Sequence, residues 1–195
     1  MNSEVVFNDI YYKVAHAFEA GSQFVRTIQQ RYVPYFKNCK KVLDIGCGQG
    51  IFLKMLLDAG CEPEGVDRDP EMVFLASQKG IKIYQEDAIS FIETTSNQYD
   101  GIFASHIIEH LQGQEALQFV KSCSDHLVSG GILVIVTPNF RNPVVSQENF
   151  WLDITHIRPY PIPLIAKILE TLEFTGIEAG LNAGDLDAFV AARKP

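Results

Sequence analysis

Little in this chain is suited to cross-linking it, anchoring it or binding a polyanion. Its four cysteines, Cys39, Cys47, Cys61 and Cys123, are scattered with no C-x-x-C pair. They read as reduced thiols rather than a disulfide framework. No apolar run approaches the roughly 20 residues needed to span a bilayer, and no signal peptide is visible over Met1–Ile10. Both features lead us to expect a cytoplasmic location. Basic residues are in the minority, 16 against 24 acidic ones, for a net charge of −8. That balance makes a nucleic-acid partner unlikely, since such binding needs a basic face, though it permits a local basic groove. Repeats and low-complexity tracts are missing too.

What remains is the composition of an ordinary globular protein. The 195 residues are 47% hydrophobic and 21% charged, which suits a single domain around one core. The most informative stretch is Val42-Leu43-Asp44-Ile45-Gly46-Cys47-Gly48-Gln49-Gly50. An apolar strand meets an acid and then three alternating glycines, so the chain must turn sharply and admit a close backbone approach. A second acid, Asp67, ends a strand 23 residues after Asp44. That spacing fits one strand–helix–strand unit, and an acid there can accept from two ribose hydroxyls. The glycine pattern is G-x-G-x-G, not the G-x-G-x-x-G that packs a helix under a pyrophosphate. No Lys or Arg lies between Lys41 and Lys54, and Asp44 would repel a phosphate. The ligand favoured is a nucleoside that carries positive charge.

Strand and helix signals alternate along the chain. Residues 3 to 36 read as helical, with apolar side chains from Phe7 to Ile28 at three- and four-residue spacings and a break at Gly21-Ser22. Strands are predicted at Lys41–Ile45, Glu64–Asp67, Lys82–Gln85, Tyr99–Ser105 and Gly131–Val136. Helices are predicted at Gly50–Ala59, Pro70–Gln78, Ile89–Thr94, Gln114–His126 and Ile162–Leu172, the second capped by Asp69 with Pro70 at its first position. A final strand pair is expected at Gly176–Leu181 and Ala188–Arg193. Between them, residues 138 to 161 are rich in proline and aromatics, and a loop that long points to function. This pattern gives an α/β, doubly wound sheet with its ligand at the carboxyl ends of the strands. We expect an N-terminal helical cap over 1–37, a core over 38–195 and an acceptor loop at 138–161.

The glycine run with Asp44 resembles motif I of the class I S-adenosylmethionine-dependent methyltransferases. Later stretches resemble that family's motifs in the same order: Gly65-Val66-Asp67, Gln85-Glu86-Asp87-Ala88, Tyr99 to Ser105, and Gly130 to Asn139. The resemblance spans roughly residues 38 to 139 and implies a Rossmann-like sheet of seven strands, the last antiparallel. It also implies S-adenosylmethionine as cofactor. Gly46, Gly48 and Gly50 would admit its methionine part, Asp44 its amino group and Asp67 the ribose. Asp87 and Ala88 would hold the adenine, although Asp87 is equally a good helix N-cap. Ser105 closes the fourth strand on the cofactor side, and Tyr11 or Tyr12 is a candidate for covering the cofactor.

Two constellations bear on the acceptor. In His106-Ile107-Ile108-Glu109-His110, a helix would bring positions 106, 109 and 110 to one face. With His156 these form a plausible metal set, similar to the Glu-x-x-Glu-His arrangement of metal-dependent small-RNA 2′-hydroxyl methyltransferases. His106 replaces the first glutamate, and the histidine-rich run of those enzymes is missing. Ile-Glu-His-Leu also resembles quinone-precursor O-methyltransferases, where the pair shapes a helix start. The expectation is therefore a site without a metal. The second constellation, Trp151 to Pro161, holds a Thr-His-x-Arg-Pro-Tyr run resembling methyltransferases associated with polysaccharide assembly. There His156 suits a base near neutral pH, with His110 as second candidate. Arg158 would hold an acceptor anion, Asp153 would orient the imidazole, and Trp151 or Tyr160 would stack on a sugar. The structural alternative is an Asp153–Arg158 pair that pins the loop. The expected reaction is O-methylation of a small or glycan-like acceptor. The alternatives are metal-dependent RNA methylation and a non-catalytic cofactor-binding domain.

Overall fold

The structure, a computed structural model, describes residues 13–14, 17 and 21–195. Tyr11, Tyr12 and most of the expected first helix lie outside the described residues. Helix α1 (Ser22–Gln29) begins after Gly21, at the expected break. It does not run on to residue 36. Residues Gln30–Phe36 form a 3-10 segment containing Pro34, which lacks an N–H and clashes with the preceding helical turn. Tyr32 and Phe36 from that segment are buried.

The alternation that follows matches the sequence reading closely. Its elements are β1 (Lys41–Ile45), α2 (Ile51–Asp58), β2 (Glu62–Asp67), α3 (Pro70–Ser77), β3 (Lys82–Gln85), α4 (Ala88–Thr94), β4 (Tyr99–Ser105) and α5 (Gly113–Asp125). The chain continues through β5 (Leu127–Pro138), a π-turn (Val145–Asn149) leading into α6 (Phe150–Leu152), α7 (Ile162–Thr171), β6 (Thr175–Leu181) and β7 (Asp187–Arg193). The seven strands form one sheet in the order β3-β2-β1-β4-β5-β7-β6. All pairings are parallel except those of β7, which runs antiparallel to β5 and β6. Strand β5 extends beyond its expected span at both ends: Leu127 pairs with Tyr99 of β4, and β7 pairs with it from Ile132 to Pro138. This register carries Asp187 to the carboxyl end of β5.

Alternate residues of each central strand feed opposite faces, as pleating requires. Leu43 and Ile45, with Ile102, Ala104, Leu133 and Ile135, pack on the side of α4, α5 and α7. Val42, Phe103, Val134 and Phe189 pack on the other side with Tyr32, Phe36 and Phe52. The chain leaves β1 for β2 and β3 on one side, then crosses to β4 on the other. A crevice at this switch point is where such sheets bind ligands.

Candidate active site

The residues expected to hold the cofactor gather at the end of β1. Gly46, Gly48 and Gly50 all have positive φ, at 70°, 49° and 70°. Gly46 and Cys47 donate their N–H groups to Val66 O, so the turn is tied to β2. A Cβ on Gly46 would lie 2.3 Å from Ile107 Cδ1, whereas one on Gly48 would meet nothing within 4 Å. The chain therefore needs glycine at 46 for packing, and Gly48 leaves its backbone open to a ligand.

Asp67 is held from both sides. Its Oδ2 accepts from Gly48 N at 2.8 Å and its Oδ1 from Asp69 N at 2.9 Å. A carboxylate has about four acceptor positions, so two remain for hydroxyls. Burial raises the Asp67 pKa, partly offset by these two N–H donors. Asp44 is 3% exposed; burial, then the neighbouring Asp67 charge, pushes its pKa well above the usual carboxylate range. Two close acids at a glycine-lined opening favour a cation. One cation does reach the loop from elsewhere in the sequence: Lys79 Nζ donates to Gln49 O and Leu75 O. It is engaged with carbonyls, so the loop gains no phosphate clamp.

Asp87 caps α4, its Oδ1 accepting from Ile89 N at 3.0 Å and Ser90 N at 3.1 Å. The capping role is therefore present, and its exposed Oδ2 is compatible with an adenine amine as well. Ala88 is the first residue of α4. Ser105 ends β4 opposite Val136.

The side chains considered for the acceptor gather beyond β4, and without a helix. His106 adopts a left-handed φ of 57°, and a 3-10 turn (Ile108–His110) follows. That reversal brings His106 Nδ1 to 3.1 Å from Glu109 Oε1, with Nε2 3.4 Å from Asp187 Oδ1. Burial opposes charge on His106, but the Asp187 and Glu109 carboxylates outweigh it and hold its pKa well above the usual value. Its side chain is still 42% accessible, so the ring lines the mouth of the site rather than its floor. Asp187 is positioned by Asn182, which donates to Oδ2 at 2.6 Å.

Glu109 is fully buried. Its Oε2 accepts from Thr137 Oγ1 at 3.1 Å. Its Oε1 is one of three buried side-chain atoms without an aligned hydrogen bond among the described residues, with Gln29 Oε1 and Tyr32 Oη. The close His106 Nδ1 is thus a charge contact, not a directed donor. The Glu109 carbonyl accepts from Ile157 N at 2.9 Å and Arg158 N at 3.2 Å. That pair draws the late loop over β4 and sets His156 beside Glu109, its Nε2 4.0 Å from Oε1 and 3.7 Å from Asp153 Oδ2.

Both inner imidazoles are oriented through Nδ1. His156 Nδ1 lies 2.6 Å from Phe150 O, so it must donate, and Nε2 becomes the acceptor atom. Thr155 Oγ1 donates to Asp153 Oδ1 at 2.6 Å and stands 2.8 Å from His110 Nδ1. The hydroxyl's proton is already committed, so His110 Nδ1 donates to it and His110 Nε2 is likewise the acceptor atom. The two rings are 4.7 Å apart. Burial, with His156 next to it, lowers the His110 pKa despite Glu109. Burial works against ionised Asp153, but the Thr155 hydrogen bonds prevail and lower its pKa.

Three expectations need correction here. Asp153 orients His110 through Thr155, while the Phe150 carbonyl orients His156. No Asp153–Arg158 pair forms, because Asp153 is taken by Thr155 and the Arg158 guanidinium lies over the Tyr160 ring at 4.9 Å. Tyr160 is no sugar platform: it is buried, and its hydroxyl donates to Leu111 O at 2.8 Å. Trp151, by contrast, is 59% exposed beside Phe150, with Nε1 donating to Ser146 O. Sequence reasoning missed Asp187, Thr137 and Thr155. The available signal was Asn182 and Asp187, a polar pair flanking a glycine turn between apolar strands.

A doubly wound sheet of seven strands with one antiparallel insertion, opening at β1 and β4 beside a glycine loop and two acids, defines the class: an S-adenosylmethionine-dependent methyltransferase. A methyltransferase-domain family model matches residues 16–179, and the chain belongs to that family. A crystal structure of a SAM-dependent methyltransferase from Archaeoglobus fulgidus superposes with a TM-score of 0.85 at 26% identity, over 94% of this chain and 99% of that one. The N-methyltransferase NodS from Bradyrhizobium japonicum, solved with S-adenosyl-L-homocysteine, shares the fold at a TM-score of 0.67 and 19% identity, over 86% of each chain. The ubiquinone biosynthesis O-methyltransferase of Psychrobacter cryohalolentis is 30% identical over 112 residues, 53% of this chain and 42% of that protein. The chain spans less than half the length of the curated relatives it matches. S-adenosylmethionine is its cofactor, as in these neighbours. No helix among the described residues is long and apolar enough to cross a membrane.

Proposed function

We propose that this methyltransferase transfers its methyl group to an oxygen of a small or glycan-like hydroxylated acceptor. The observation that carries this reading is the His156 imidazole. Its Nδ1 is committed to Phe150 O, leaving Nε2 as an acceptor beside Glu109 and Asp153. An aliphatic or phenolic hydroxyl must lose a proton as it takes the methyl, and an oriented imidazole is suited to accept it. The proton moves from the acceptor oxygen to Nε2 as that oxygen attacks the methyl carbon. The sulfonium bond breaks, and its electron pair stays on sulfur as S-adenosylhomocysteine. Glu109 and Asp153 stabilise the imidazolium that results.

His110 is the second base, its Nε2 set by the Thr155 bridge. Arg158, exposed above Tyr160, is free to meet an acceptor carboxylate or phosphate, and Trp151 offers an apolar face to a ring. Glycines 46, 48 and 50 with Asp44 take the methionine part, Asp67 the ribose, Asp87 and Ala88 the adenine, and Ser105 flanks the methyl. The relatives named for ubiquinone biosynthesis O-methylation support oxygen as the nucleophile. Holding the hydroxyl in line with the methyl carries most of the rate effect. The test is His156→Ala. Methyl transfer to hydroxyl acceptors should fall by about 10²- to 10⁴-fold while S-adenosylhomocysteine affinity is retained. Unchanged turnover would remove His156 from the mechanism.

A further inference from the structure

We propose that Glu109, His110 and His156 bind a divalent first-row transition-metal ion through Glu109 Oε1 and the two imidazole Nε2 atoms. The sequence expectation of a metal-free site rested on His106 in place of a glutamate and on the missing histidine-rich run, because spacing alone fixes no coordination geometry, and the geometry carries the matter further. Each of the three residues places a ligand atom within 4.8 Å of the others. Ligands sharing one such ion at bond lengths near 2.1 Å stand about 3 to 3.5 Å apart. Oε1 and His156 Nε2, now 4.0 Å apart, need only a small side-chain rotation to reach that spacing.

Two independent features prepare this cluster for an ion. The first is the outer shell. Metal-binding histidines donate their other ring N–H to a carbonyl or a carboxylate-linked group, which fixes the tautomer and aims the lone pair. His156 does so to Phe150 O, and His110 does so to the Thr155 hydroxyl, itself bound to Asp153. The second is Glu109 Oε1, a fully buried acceptor with no aligned donor. His106 Nδ1, 3.1 Å away and out of line, gives this oxygen a charge contact but no directed hydrogen bond, so a lone pair remains for an ion. Its companion Oε2 is satisfied by Thr137, which leaves Oε1 as the coordinating atom. His106, left-handed and drawn to Asp187, stands beside the trio rather than in it. Two imidazoles and one carboxylate suit manganese, iron, cobalt or zinc better than calcium or magnesium.

The inference rests on the reading of this pocket as the acceptor side and changes one part of it: the metal ion takes over the task given to His156 as base. With the ion bound, His156 is a ligand and the ion acidifies the hydroxyl in its place. An acceptor hydroxyl at an open coordination position gives its proton to solvent. The alkoxide then takes the methyl from sulfur, and S-adenosylhomocysteine leaves neutral.

The experiment titrates Co²⁺ into chelator-stripped protein and follows its visible absorption, with S-adenosylhomocysteine stabilisation measured in parallel. One equivalent of Co²⁺ should bind with saturation and be displaced by Zn²⁺. His156→Asn keeps an N–H for Phe150 O but lacks Nε2, and should weaken Co²⁺ at least tenfold while still binding S-adenosylhomocysteine. Glu109→Gln should do the same, and Thr155→Val should cost about tenfold by releasing His110. Uptake equal in wild type and His156→Asn, or no uptake by protein that binds S-adenosylhomocysteine, overturns the metal site and leaves the methyltransferase reading standing. Loss of S-adenosylhomocysteine binding by wild type would strike that reading instead.

Discussion

At the scale of single residues, the cofactor half sets folding against function. Asp44 and Asp67 are acids whose native pKa lies above the unfolded value of about 3.9, because burial disfavours their charge. Their contribution to stability is present below that unfolded value and is lost as pH rises through the raised native values. A bound ammonium or sulfonium favours the ionised forms, so ligand stabilisation should grow as pH rises out of the carboxylate range. For the same reason Asp44→Asn should raise the melting temperature of the unliganded protein, by about 1 kcal/mol of stability, and weaken S-adenosylhomocysteine at least tenfold. Scanning calorimetry with and without ligand reads both effects. A variant that is destabilised yet binds normally would contradict this role for Asp44. In the acceptor half, Thr155→Val removes the hydroxyl between Asp153 and His110. It should leave cofactor affinity unchanged while lowering kcat, and an unchanged kcat would show that the bridge does not matter to transfer.

At the scale of elements, the glycine loop and the late loop follow different rules. Gly46→Ala puts a methyl into Ile107 in a left-handed conformation, so it should cost about 2 kcal/mol or more. Gly48→Ala has open space around it and should cost only the strain of a positive φ, on the order of 1 kcal/mol. Denaturant unfolding separates the two. Equal losses would mean the loop is not packed as described. Gly48→Ala should still impair the cofactor, since its methyl would stand where the ligand approaches. These loop features were legible in sequence because glycine spacing, Asp44 and Asp67 are local signals. The late loop was legible only in part. His156 stood out by residue type, but what fixes it is the Glu109 carbonyl accepting from Ile157 and Arg158, a contact across nearly fifty residues. The turn at His106 is hidden from the sequence for a related reason, since a helix there is only one way to bring positions 106, 109 and 110 together. No residue type announces a left-handed histidine, and of the two carboxylates that hold it only Glu109 is local, while Asp187 comes from β7, distant in sequence.

At the scale of the whole molecule, the doubly wound fold class was readable because each strand is a short apolar run bounded by turn residues, and alternating strands and helices allow few topologies. The antiparallel last strand came from family resemblance; its place between β5 and β6 comes from the structure, and its register is what carries Asp187 to the site. The fold thus divides the labour. In the proposed reading, the end of β1, tied to β2, takes the cofactor, while the end of β4, with β5, β7 and the late loop draped over it, takes the acceptor. Net charge of −8 fits an acceptor that is not a polyanion. The division is tested most directly by thermal unfolding with S-adenosylhomocysteine in wild type, Asp67→Ala and His110→Asn. At about a hundred times the dissociation constant, ligand should add roughly 2.7 kcal/mol of stability to wild type and to His110→Asn, and almost none to Asp67→Ala. A full shift in Asp67→Ala, or none in wild type, would contradict the account.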